Sequence, residues 1–364
     1  MAEAYRAAGV DYDVLDAAKR RSLEAVLSTL PLAGGSGARV VEETVGEPAQ
    51  VVEIGGVRLA TVLECLGTKS VICRDVEETL GVDGWHAIGI DAVAAIVNDL
   101  CCVGALPVSV SAYVATGHAS WYSSSRHASL VAGWKAACDE VGAAWVGGES
   151  PTLAGIVDER GVDLAGSSLG VVPAGSDLWL GSRIEPGDEI VLIASSGLHA
   201  NGASLARSVA AVLPDGWATS MPSGGTLGEA VLAPSVLYPP VVRSLTESGS
   251  PVHYASHVTG HGLRKLMRAD RELTYRVHEL LPVPEVLQFL AGAAGLDEAA
   301  AYGTFNMGVG FALYVEEGAG ALVARAAREA GAAAVVAGAV EEGPRRVVLE
   351  PVGVTYTSQE LELR

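Results

Sequence analysis

The chain has 364 residues, more than one ordinary core accommodates, and 49% of them are hydrophobic, so two packed domains are expected. Its 24 basic against 43 acidic residues leave a formal charge of −19, which argues against a nucleic-acid or anionic-membrane surface. No apolar run reaches membrane-spanning length without a charge or turn residue, and MAEAYRAAGVDYD at the start lacks a basic region followed by an apolar stretch, so a soluble cytoplasmic protein is expected.

In chain order, Val51–Val62 alternates around a Gly-Gly turn and predicts a hairpin, after which Glu64–Lys69 closes a strand in a loop. The stretch His86–Gly104, almost wholly apolar, predicts a helix, and Pro107–Thr116 the next strand. Ser125–Gly142 has helical apolar spacing, Ala143–Gly148 leads into the loop GGESPTLAG, and Ala165–Val172 reads as strand. This alternation is an α/β pattern with polar motifs at strand ends. Pro173–Pro186, rich in Gly, Ser and Pro, marks the expected boundary between domains 1–172 and 173–364. Beyond it come a buried strand Glu189–Ala194, a polar turn Ser195–Asn201 and helices Gly202–Val212, Pro240–Ser248 and Gly260–Arg268. Gly308–Val315 reads as strand, Ala319–Ala333 as a helix, and Val354–Arg364 as a loose tail.

Several residues interrupt this apolar framework with chemistry. At about 100° per residue, Asn98 falls about 20° behind Asp91 and Asp99 about 80° ahead of it, so the three share one helix sector. Such a sector suits Mg²⁺ and nucleotide phosphates, the alternative being core acids satisfied by backbone donors. Lys69 is one of four lysines and sits beside Glu64, Gly67 and Thr68 in the predicted loop, placed to meet phosphate charge. No Gly-Lys dipeptide occurs, which excludes a P-loop. Gly147-Gly148-Glu149-Ser150 lets backbone approach a ligand next to an acid. Ser195–Gly202, between a strand and a helix, is an anion site in which His199 is a candidate general acid or base. His253, His257 and His261 recur every fourth residue, but their glycines and the Val258-Thr259 pair disfavour a continuous helix, and no acid or cysteine completes a zinc set. The five cysteines, odd in number and without a C-x-x-C pair, suit reduced thiols.

Taken in order, YRAAGVD, GTK (Gly67–Lys69), GIDAVAAIVNDL (Gly89–Leu100), VGGES (Val146–Ser150), SSGLHANGASLAR (Ser195–Arg207), SHVTGHGL (Ser256–Leu263) and TFNMGVGF (Thr304–Phe311) resemble the aminoimidazole ribonucleotide synthetase family, also called phosphoribosylformylglycinamidine cyclo-ligase. The resemblance implies the α/β (α+β) two-domain fold of that family: an N-terminal sheet domain that binds ATP and dimerises across its sheets, then a C-terminal α/β domain. It implies an ATP- and Mg²⁺-dependent ligase of purine biosynthesis, which phosphorylates the formyl amide oxygen of formylglycinamidine ribonucleotide and closes the imidazole ring. The expected partners are a phosphorylated small molecule and a second copy of the chain. By the same resemblance Lys69, His199 and Asp99 carry catalysis. Nucleotide contacts are expected from Glu64, Gly67, Thr68, Lys69, Asp91, Asn98, Gly148, Glu149, Ser196 and Asn201, with Asp91, Asp99 and Glu64 toward the metal.

The chain also departs from the family pattern. Glu64-Cys65-Leu66 stands where the family's loop reads Asp-Gly-Val, SPTLAG replaces its Met-Pro-Gly segment, Gly303 replaces an arginine and His261 a glycine. Leu23 stands where the family has a lysine, with Lys19 one turn earlier. These keep open a paralogue that activates a different amide or amidine with ATP, and a non-catalytic nucleotide-binding homologue. Selenophosphate synthetase would want a cysteine before Cys65, and the hydrogenase-maturation dehydratase one at the C-terminus; thiamine-phosphate kinase resembles the SSGLHANG region less.

Overall fold

A computed structural model of the protein describes residues 12–361, so YRAAGVD and the side chain of Lys19 lie outside what is described. The helix α1 (Tyr12–Thr29) leads into β1 (Ala38–Val40), β2 (Gln50–Ile54) and β3 (Val57–Cys65). Gly55 and Gly56, at φ +57° and +79°, form the two-residue turn that joins β2 to β3, and Ile54 faces Val57 across it. Positive φ at both central residues is the geometry such a turn requires, and glycine adopts it without a Cβ clash.

Helices α2 (Lys69–Leu80) and α3 (Trp85–Cys101) follow, then β4 (Leu106–Thr116), α4 (Ser125–Val141), β5 (Ala144–Glu149) and β6 (Val162–Val171). The first sheet runs β1-β2-β3-β6-β4-β5, antiparallel except where β4 meets β5. Burial alternates along β6, with Val162 and Leu164 on the face that α3 covers. Ile88, Val93, Ile96, Val97 and Leu100 of α3 are all fully buried, each worth roughly 1.5–3 kcal/mol of apolar transfer. Gly89 and Gly133 let α3 and α4 cross backbone to backbone: a Cβ on Gly89 would sit 2.3 Å from the Leu130 carbonyl, and one on Gly133 1.9 Å from that of His86.

The second half holds β7 (Glu189–Ala194), α5 (Ala203–Val212), α6 (Pro239–Glu247), β8 (Val252–His257), β9 (Leu273–Val277), α7 (Glu285–Ala293), β10 (Val309–Val315), α8 (Gly320–Glu329), β11 (Ala334–Glu342), β12 (Arg346–Leu349) and β13 (Val354–Thr357). Its sheet runs β13-β12-β9-β11-β7-β10-β8, with β9 and β12 the parallel pair. β10 is buried at every position, as a strand between two others under helices must be.

Both sheets are therefore mixed and mainly antiparallel, as an α/β (α+β) two-domain fold allows. Lys69 opens α2 instead of lying in a loop, and Gly260–Arg268 contains only the 3₁₀ turn Gly262–Met267. The expected loose tail is also corrected: β13 pairs with β12, and Tyr356 and Leu361 are buried. Among the described residues no helix is long and apolar enough to cross a membrane.

Candidate functional site

The polar sector of α3 faces the second half of the chain. Asp91 Oδ1 accepts from the Ser235 backbone N–H at 2.7 Å and from the Ser235 hydroxyl at 2.6 Å. Its Oδ2 lies 2.6 Å from Lys69 Nζ, with both side chains fully buried, and the same amine donates to the Ala233 carbonyl at 3.2 Å. Two turns on, Asn98 donates to the Val236 carbonyl at 2.8 Å and accepts from the Tyr238 N–H at 2.9 Å. Asp99 Oδ1 meets His257 Nδ1 at 2.6 Å. The sector that the helical spacing predicted thus exists, and all three of its members grip the segment 233–238 or β8 of the other half.

That placement corrects two expectations. Asp91 has Ser235 on one oxygen and Lys69 on the other, the arrangement of a core acid, and it is not among the residues lining the cavity between the two halves. Lys69, expected to be a phosphate-facing loop lysine, is a buried partner of that carboxylate. A carboxylate and an ammonium leave water together when each neutralises the other and backbone groups take the remaining bonds.

Beneath Asp99 opens a cavity of about 510 Å³ between the two halves. From the first half its wall carries Glu64, Cys65, Gly67, Thr68, Asn98 and Asp99; from the second, His199, Asn201, Ser204, Ser235, His257 and Thr259. Ser196 stands outside it, its hydroxyl donating to the Pro234 carbonyl at 2.5 Å. Gly148 and Glu149 lie on β5 at the exposed edge of the first sheet, apart from this wall. Sequence reasoning missed His257, Thr259, Ser204 and Ser235. His257 stood unassigned within the block SHVTGHGL and in a four-residue histidine spacing, which the structure breaks up: His253 bonds Asp188 at 2.8 Å, whereas His257 bonds Asp99.

Two imidazoles serve different ends. His199, at φ +57° in the turn after β7, is buried, and its Nε2 accepts from the Ser196 N–H at 3.2 Å and the Val236 N–H at 3.4 Å. Two donors on one nitrogen place the ring proton on Nδ1, which is buried and meets no partner among the described residues. Burial, with the charges of His257 and Lys69, pushes its pKa well below the usual histidine value, so the ring is neutral. With Nε2 occupied and Nδ1 buried, neither ring nitrogen of His199 opens to the cavity in this arrangement. Asn306 fixes this turn, accepting from the Ser195 hydroxyl at 2.7 Å and donating to the Gly197 carbonyl at 2.8 Å.

His257, in contrast, spends Nδ1–H on Asp99 and keeps Nε2 outside that bond. Burial alone would raise the Asp99 carboxyl; the hydrogen bond and charge of His257, with Lys265 and Arg268, outweigh it and hold the group below the ordinary carboxylate value. Burial, followed by the neighbouring Glu64 charge, raises the Cys65 thiol, which keeps it protonated. Thr68 and Ser204 share a hydrogen bond at 3.2 Å across the cavity floor, and Asn201 spends none of its amide on the described residues. Among the described residues no three His, Cys, Asp or Glu side chains gather as a metal nest. Glu64 and Asp99 remain as the carboxylates of the wall, a number that suits Mg²⁺ held jointly with phosphate oxygens.

Comparison with known proteins gives a consistent picture. Residues 46–172 match the family described as AIR synthase related protein, N-terminal domain, and residues 185–350 match its C-terminal domain. A phosphoribosylformylglycinamidine cyclo-ligase of Lachnospira eligens is 36% identical over 272 residues, 74% of this chain and 79% of that relative. One of Carboxydothermus hydrogenoformans is 34% identical over 358 residues, 95% of this chain and 98% of the relative. In fold, the chain is similar to hydrogenase maturation protein HypE in complex with ATP, with a TM-score of 0.59 at 19% identity over 84% of this chain and 85% of that one. It is also similar to T. maritima PurL complexed with FGAR, with a TM-score of 0.58 at 16% identity over 88% of this chain and 49% of that one.

Proposed function

The chain belongs to the AIR synthase related family, and from that premise we propose that it is an ATP-dependent ligase closing the imidazole ring of aminoimidazole ribonucleotide from formylglycinamidine ribonucleotide. The observation that carries the assignment to this cavity is the meeting, between the two halves, of the Asp99–His257 pair with a neutral histidine and a hydroxyl-lined floor. Such a cleft suits a reaction in which phosphate is first transferred to an amide oxygen and then expelled by an internal nitrogen.

Each part of the wall fits one demand of that chemistry. Thr68, just before α2, and Ser204 and Asn201, at the start of α5 where backbone N–H groups also point outward, supply donors to phosphoryl oxygens. His199 fixes the turn that forms this wall, its Nε2 held by the Ser196 and Val236 N–H groups. His257 takes the proton of the attacking nitrogen on Nε2, while Asp99 holds Nδ1–H and stabilises the imidazolium that forms. Glu64 and Asp99 would hold Mg²⁺, which neutralises phosphate charge when bound. The reaction balances as ring-closed product, ADP, inorganic phosphate and a proton.

The reading extends to a cytoplasmic homodimer acting on a phosphorylated small molecule. β5 is exposed along its whole length as a sheet edge, and Leu63 (78% exposed) and Val146 (64%) stand on the same domain, an apolar surface that a second copy covers. Incubating the purified protein with ATP, Mg²⁺ and formylglycinamidine ribonucleotide should yield aminoimidazole ribonucleotide and ADP in equal amounts. ADP formation with another amide but not with this one would select the paralogue. Light scattering should give twice the chain mass, and Leu63→Glu should halve it; a monomeric, fully active wild type would remove the dimer.

A further inference from the structure

Thr259 forms part of the cavity wall, and its side chain is held from behind. The Lys265 ammonium donates to Thr259 Oγ1, while the Thr259 carbonyl accepts from the Gly262 N–H at 3.1 Å. Lys265 is itself fixed, since its carbonyl accepts from the Ser256 hydroxyl at 3.0 Å at the end of β8. A hydroxyl has one proton to give. With the ammonium on the oxygen's acceptor side, that proton is left over, and the Thr259 hydroxyl makes no other hydrogen bond among the described residues.

We propose that Lys265 is a positioning residue of the cavity: by occupying the acceptor side of Thr259 Oγ1 it turns the hydroxyl proton into the cavity, where it donates to a tetrahedral oxyanion. The inference rests on the reading above only in naming that oxyanion as a phosphoryl group. An ammonium behind a hydroxyl polarises the O–H bond, which makes it a stronger donor to an anion than an isolated threonine. It also offsets the carboxylates of Asp99 and Glu64, which would otherwise repel such a ligand. Burial and the neighbouring Arg268 push the Lys265 amine down to about 8, so it remains an ammonium at neutral pH. Arg268 is spent elsewhere, on Glu47 Oε2 at 3.3 Å and the Gly46 carbonyl at 2.7 Å, which leaves Lys265 to act on Thr259.

Inorganic sulfate tests this without the reaction, because it is a tetrahedral dianion of constant charge near neutrality. Calorimetric titration at pH 7.0 should show binding that weakens roughly tenfold in Thr259→Val, the loss of one charge-assisted hydrogen bond, and similarly in Lys265→Met. Thr259→Ser and Lys265→Arg keep the hydroxyl and the donor, and should bind within about threefold of wild type. Because Lys265 acts through Thr259, the double variant Lys265→Met/Thr259→Val should bind no worse than Thr259→Val alone. Multiplication of the two single effects would make Lys265 a diffuse charge and overturn the proposal, as would sulfate binding that is absent or unchanged in Thr259→Val. If Lys265→Met fails to fold, the Thr259→Val and Lys265→Arg titrations still decide. Failure of the ligase reading is read separately, as absence of ring-closed product from wild type that binds sulfate normally.

Discussion

Replacing Lys69 with methionine should unfold the protein more readily, not simply slow it. The Lys69 and Asp91 side chains have no exposure to solvent and their charges lie 2.6 Å apart. Removing the ammonium leaves a carboxylate in the core with only the Ser235 N–H and hydroxyl, at 2.7 Å and 2.6 Å, to hold it. Breaking one side of a buried pair costs about 3–5 kcal/mol, and the two remaining donors place this case near the lower end. Against a typical total of about 5–15 kcal/mol, that is a large fraction of the stability. Asp91→Asn should cost a similar amount, because the amide donor then faces the Lys69 ammonium. The double variant Lys69→Met/Asp91→Asn leaves no buried charge and should recover at least about 1 kcal/mol of the summed single effects. Urea unfolding followed by tryptophan fluorescence measures all three, since Trp85 and Trp134 lie in the same core. A Lys69→Met protein with an unchanged urea midpoint and abolished ATP turnover would refute the argument and return Lys69 to phosphate binding.

Gly133→Ala should destabilise by about 3 kcal/mol or more, because its Cβ would sit 1.9 Å from the His86 carbonyl and force α3 from α4; a thermal midpoint within 2 °C of wild type would show that the helices part freely. His199 has a folded-state pKa well below its unfolded value near 6.5, so the unfolded chain takes up the proton first. Its contribution is whole above that pH and is lost as pH falls below it, by up to about 1.4 kcal/mol per unit; urea midpoints at pH 7.5 and 5.5 should differ accordingly, and His199→Gln should flatten the difference. His257→Gln should lower kcat at least about a hundredfold with little change in the KM for ATP, and a retained kcat would remove His257 from proton transfer.

How far the sequence carries depends on the distance between interacting residues. The hairpin turn at Gly55-Gly56, the helix that begins at Ser125 and the strand beginning at Glu189 follow from neighbouring residues, and all are present. The Asp91, Asn98 and Asp99 sector is likewise a property of one helix. What those side chains touch is not, because Ser235, Tyr238 and His257 lie more than a hundred residues on, and a partner at that separation leaves no local periodicity. The same reason hid the tail. Val354–Thr357 has too few residues to announce a strand, and becomes one because β12 offers an edge and Tyr356 a core to enter.

The motif residues most suggestive of ligand chemistry serve partly to set where the ligand cavity is. Lys69 and Asp91 hold Ala233 and Ser235, and Asn98 holds Val236 and Tyr238. The Val236 N–H then bonds His199, whose turn forms the opposite wall. An apolar patch could press the two halves together equally well, but would not fix their register to a single position, since dispersion has little directional preference. Hydrogen bonds with angular requirements do fix it, and here they run in series from α3 through 233–238 to His199. Shifting Asn98 by one side chain, as in Asn98→Leu, would leave Tyr238 N–H and Val236 C=O unpaired and let that segment move. The distance between His199 and the Asp99–His257 pair would then cease to be set, so the loss of activity should exceed the loss of stability. A fall in folded fraction with turnover per folded molecule unchanged would mean that the segment carries stability alone.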